Sequence, residues 1–193
     1  MRYHRMTPHQ FGPWSEAADT VLVRSHTPYP LDVAVPMAAA SWIASRLSER
    51  VADVFQGRML FFDAGFAPVV WGGADLFAAL WADQGWTCRY GVWITDRVLT
   101  NDVHTVRAQD GTWWLAFDWW QWMRRHLPSD RWPDAWFYLC LACPEYRASP
   151  EQRALGLAPG VEAAMAREGE RLFDAMVRAV AARVEALWAG GPP

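Results

Sequence analysis

The sequence predicts an α+β fold: a single domain over residues 1–193, in which a mixed, mostly antiparallel sheet of about five or six strands is packed by helices and closed by a long C-terminal amphipathic helix. Three observations predict it. Strand-like and helical runs follow in the order βαβαβββαβα, which is not the strict alternation of a doubly wound sheet. Apolar residues recur at three- and four-residue spacing over residues 160–188. Finally, 52% of the residues are apolar and 20% charged, with 14 Trp and 9 Phe, enough for one core that buries roughly 70% of the unfolded chain's surface.

The elements follow in chain order. Residues 1–19 show no assignable pattern. Residues 20–24 read as a strand, and a helix is expected over 33–55, with Met37, Ala40, Ile43, Leu47, Val51 and Val54 on one face and Arg46, Glu49, Arg50 and Asp53 mainly on the other. A strand over 58–63 precedes a short helix over 74–84, set between Gly72-Gly73 and Gly85. Strands are expected over 87–96, 102–107 and 112–117, with Gln109-Asp110-Gly111 as a hairpin signal. Asp118 and Gln121 have capping-box spacing for a helix that Pro128 halts after Leu127. A last strand over 135–141 leads to the C-terminal helix, opened by Pro159-Gly160 and stopped by Ala189-Gly190-Gly191.

Composition excludes several chemistries. All 18 basic residues are arginine, a usage that fits GC-rich bacterial coding, and without lysine there is no Schiff-base nucleophile and no Walker-type phosphate loop. Net charge is −3, and residues 57–146 carry seven Arg against ten acids, nine of them Asp. That stretch repels phosphate backbones, so nucleic acid is not an expected partner. No segment approaches the 18 or so uncharged apolar residues of a membrane span. Cys88, Cys140 and Cys143 follow an N-terminus without a leader-like apolar segment, which implies reduced thiols and a cytoplasmic location.

The tryptophans are the most unusual feature. Trp113, Trp114, Trp119, Trp120 and Trp122, with Arg124, form the candidate binding surface, and Trp132 and Trp136 follow closely. Large rigid rings with one polar handle suit a concave wall or a partner's side chain. The plainer role is to fill the core beneath the sheet.

Asp102 and His104 are the candidate catalytic pair, since on an extended strand they share a side and a carboxylate can orient an imidazole. Strand ends also collect Asp for hydrogen-bonding reasons alone. Asp63 and Asp118 each close an apolar strand and could meet around a metal or a substrate hydroxyl, although capping gives Asp118 a sufficient role. Cys140-Leu141-Ala142-Cys143 has redox spacing, but Pro144 beside Cys143 argues for a turn and for small buried thiols. His26 lies in a proline-stiffened loop, unpaired with any nucleophile in sequence; Ser25 lacks a nucleophile elbow. Arg124-Arg125-His126 complements a helix C-terminus. No cofactor or metal is expected.

These features favour a small protein-binding domain, inhibitor-like, immunity-like or accessory, that meets another protein through a Trp-rich, acid-rimmed surface. One alternative is a small lysine-independent enzyme or ligand-binding protein of hydrolase, isomerase or cyclase type, with a Trp-lined pocket and acid–base groups drawn from Asp63, Asp96, Asp102, His104 and Asp118. A further alternative is a homodimeric structural subunit seamed by the C-terminal helix.

Overall fold

Strands β1 (Thr20–Arg24), β2 (Met59–Phe62), β3 (Tyr90–Thr95), β4 (Val103–Arg107) and β5 (Trp113–Asp118) form one sheet in the order β2-β1-β3-β5-β4. They are seen in a computed structural model that describes residues 16–26, 38–62, 88–96, 99–108, 111–149 and 155–190, with Pro13 and Gln152. Helix α1 (Ala39–Val54) links β1 to β2, and α2 (Trp119–His126), α3 (Trp132–Ala142), α4 (Pro144–Arg147) and α5 (Pro159–Trp188) follow β5. The α+β class, the mixed sheet and the long C-terminal helix are as the sequence predicts. The expected helix over 74–84 and the Asp63 strand end lie outside the described residues.

Two expectations are overturned. The sheet is mostly parallel: β1 pairs in parallel with β2 and β3, and β3 with β5, while only β4 runs antiparallel to β5. Strands buried on both faces carry continuous apolar runs, and β1 and β3 are buried along their whole length. The β4 edge strand has mixed burial instead. Residues 135–141 belong to α3 rather than to a strand. Pro133 fits the first turn of that helix, and an apolar run surrounded by protein has no polar face to betray its period.

The sheet separates two layers of apolar side chains. On one face Leu22, Val92, Ile94, Leu115 and Phe117 meet α1, α3 and α5 in the main core. On the other, Val21, Val23, Leu60, Trp93, Trp114 and Ala116 form a smaller cluster. Helix α5 directs Phe173, Met176, Val180, Val184 and Leu187 inward, so most of its apolar stripe is buried within the chain. It meets α3 closely at Gly169, where a Cβ would collide with the backbone carbonyl of Tyr138. At the far end of α5, Trp188 Nε1 donates to Thr20 Oγ1 at 3.0 Å, and the Arg58 guanidinium lies 3.9 Å from the Trp188 ring centroid. These contacts fix the helix end against the amino edge of the sheet.

Candidate functional site

In an open parallel sheet, chain reversals in strand order leave a crevice at the carboxyl ends of the strands. Here β1 has β2 on one side and β3 on the other, so the order reverses at β1 and the topological switch point falls between β1 and β3. Polar residues collect at this edge although the strands below are apolar. Arg24 and Ser25 end β1, Thr95 and Asp96 end β3, and Asp118 ends β5, all of them buried.

The register explains their arrangement. Arg24 pairs with Ile94 and Thr95 with Asp118, so Ser25, Thr95 and Asp118 form one row across three strands. Ser25 Oγ donates to Thr95 Oγ1 at 2.8 Å and accepts from Trp93 Nε1 at 2.8 Å. Its backbone N–H donates to the Ile94 carbonyl at 2.9 Å. Ser25 is therefore a fixed part of the floor. Arg24 Nη1 donates to the Ser41 carbonyl at 3.1 Å and to Ser41 Oγ at 3.2 Å, tying the end of β1 to α1.

Asp118 is occupied by structure. Its Oδ1 accepts from the Gln121 N–H at 3.0 Å, capping α2, and its Oδ2 accepts from the Leu99 N–H at 3.0 Å. The reciprocal half of the expected capping box is absent: Gln121 Nε2 donates to the Leu99 carbonyl at 3.0 Å. One carboxylate thus fixes the start of α2 and the approach to β4. Asp96 differs in place. It follows Thr95 at the end of β3, fully buried, and His26 follows Ser25 at the end of the adjacent β1. His26 and Asp96 are the next residues along two neighbouring strands. An imidazole and a carboxylate at a switch point are the ingredients of acid–base chemistry. Sequence spacing could not pair them, because 69 positions separate residues that adjacency of β1 and β3 brings to one edge.

Of the sequence-predicted catalytic pair, Asp102 lies buried just before β4 and His104 lies within that strand. Asp102 is engaged by Arg125 of α2, and its carbonyl accepts from the Asp118 N–H at 2.8 Å. His104 is exposed on the edge strand β4.

The predicted binding tryptophans divide between layers. Trp114 (2% exposed) lies in the smaller cluster, whereas Trp119 (0%), Trp120 (8%) and Trp122 (7%) lie in the main core. Trp120 stacks on Trp136 with centroids 4.4 Å apart and planes at 23°, and Trp119 meets Trp120 edge to face at 6.0 Å. Rings buried like this offer little contact area to a partner. Trp113 is half-buried and Arg124 exposed; Arg124 lies 4.9 Å from the Trp132 ring centroid beside a hollow of about 480 Å³ that Asp102, Gln121 and Arg125 also line.

Cys140 and Cys143 are buried on α3 and at its end, and Cys143 Sγ donates to the Leu139 carbonyl at 3.3 Å. Burial pushes the Cys140 thiol up to about 12 and the Cys143 thiol higher still, the reverse of what a redox cysteine needs. Among the described residues no group of three His, Cys, Asp or Glu side chains could hold a metal ion, and no helix is long and apolar enough to cross a membrane.

The described fold and edge define an α+β protein with a parallel-dominated sheet and buried polar residues at its switch point. Beyond that class, the chain matches no protein family, no curated protein and no solved structure.

Proposed function

We propose that the chain is a small enzyme or ligand-binding protein whose site is the carboxyl edge between β1 and β3, with His26 and Asp96 as the acid–base pair. The observation that supports this reading is the convergence of buried Arg24, Ser25, Thr95 and Asp96 at the carboxyl edge where the strand order reverses, the place at which open parallel sheets bind their ligands. The hydrogen-bonded Ser25–Thr95–Trp93 floor gives the pair a rigid base. Without lysine, the chemistry that suits such a pair is hydrolysis, isomerisation or cyclisation of an uncharged polar molecule. The buried thiols suit a reducing, cytoplasmic setting.

A thermal-shift screen of neutral metabolites tests the reading. A ligand that stabilises the native chain, and binds about tenfold or more weakly to His26→Gln and Asp96→Asn, supports it. Stabilisation that both variants retain contradicts it.

A second reading keeps the protein-binding role at a smaller surface. Trp132, half-buried under Arg124 and beside Arg125, is a part of the Trp-rich region that reaches solvent, and arginine and tryptophan are the residues that anchor interfaces. Loss of a co-purifying protein partner in Trp132→Ala, with an unchanged melting temperature, would favour it.

A further inference from the structure

At the opposite, amino edge of the sheet a cleft of about 500 Å³ opens beside the end of α5, lined by Arg89, Tyr90, Arg107, Thr112 and Trp113 among others. Its volume falls within the range of small-ligand sites. The register sets Tyr90 opposite Trp113 and Trp113 opposite Arg107, so these three side chains form a row on one face of β3, β5 and β4. Arg89 precedes Tyr90 at the end of the row.

Both guanidiniums lie over rings of the same row. Arg107 is 5.7 Å from the Trp113 centroid, and Arg89 is 5.5 Å from that of Tyr90. Arg107 Nε donates to the Gly111 carbonyl at 3.3 Å, which uses one of five N–H groups in its fork. Among the described residues neither arginine lies within ion-pair distance of a carboxylate. Asp19, whose charge Arg89 also feels, is held by Arg58 through two hydrogen bonds of 2.9 and 2.8 Å. Two cations therefore face one cleft with no carboxylate in direct ion-pair contact among the described residues, in a chain of net charge −3.

We propose that this cleft binds a small planar anion, an aromatic ring bearing a carboxylate or a phosphate, with the ring along the half-buried Trp113 indole and the anion between Arg89 and Arg107. Guanidinium forks match either oxyanion and stack on aromatic faces, and the indole adds rigid apolar area. The site is distinct from the carboxyl edge and does not depend on the function proposed there.

Isothermal titration calorimetry of the full chain tests it, with benzoate, indole-3-acetate and adenosine 5′-monophosphate as probes and benzyl alcohol, indole-3-ethanol and adenosine as their neutral counterparts. At least one anion is expected to bind saturably while its neutral counterpart does not. That binding should weaken by about tenfold or more in Arg89→Gln and in Arg107→Gln. Both side chains are exposed, so the variants should keep the native melting temperature, measured alongside. The proposal is overturned if all three anions fail to bind, if neutral counterparts bind equally, or if binding survives both substitutions.

Discussion

Gly91 stands directly opposite Trp114 across the β3–β5 ladder, and the indole ring of Trp114 occupies the space that a side chain at position 91 would fill. The ring has little room to yield, being packed with Val21, Val23, Leu60 and Trp93. Gly91→Ala should therefore cost about 1–3 kcal/mol in urea unfolding, through overpacking. Pairing it with Trp114→Leu should recover part of that loss, and full additivity of the two changes would show that they do not touch.

Among the described residues, Trp120 and Trp136 make the main core's closest tryptophan stack. Trp120→Ala is expected to destabilise the chain by about 3–5 kcal/mol, as large core truncations do. Exposed Arg124→Ala should change stability by no more than about 0.5 kcal/mol. An unchanged melting temperature in Trp120→Ala, together with lost partner binding, would instead make that ring part of an interface.

Asp19 and Arg58 link the strand entries at the amino edge. Burial would raise the Asp19 carboxyl, but hydrogen bonds from Arg58 and Thr20 and the charges of Arg58 and Arg89 outweigh it and hold the group below its ordinary value. A depressed carboxyl contributes stability that is present above about pH 4 and lost as pH falls through the lower, folded value. The melting-temperature gap between the native chain and Asp19→Asn should therefore be open at pH 7 and narrow on acidification below about pH 4.

Cys140 and Cys143 should resist iodoacetamide at pH 8 in the folded chain and react only on unfolding, read by mass spectrometry of peptides. Their raised values give a stability contribution that is full below about pH 8.5 and declines as pH rises, for Cys140 towards about 12. Native-state labelling of either thiol would place α3 less deeply than described.

Much of the fold was legible because local periodicity reports local burial. The C-terminal stripe of Phe173, Met176, Val180 and Val184, the Asp118 cap and the position of every described strand follow from near-neighbour spacing. Strand pairing was not legible in the same way. The unbroken apolar run of β3 was a signal for parallel pairing that hairpin spacing between β4 and β5 outweighed. Helix α3 was misread because Trp136, Leu139, Cys140 and Leu141 are all buried, which erases the polar face that distinguishes a helix from a strand. The proposed edge site was not legible for a topological reason: His26 and Asp96 come to the same edge of the sheet only once β3 docks on β1.

Native mass spectrometry of the chain gently purified from its own host tests the central claim most directly. A small-molecule adduct that is present on the native chain and absent from Asp96→Asn, at equal folded content, is the predicted result. A bound second protein of defined mass, without any adduct and unaffected by Asp96→Asn, would contradict the carboxyl-edge site and shift the function to the surface around Arg124 and Trp132.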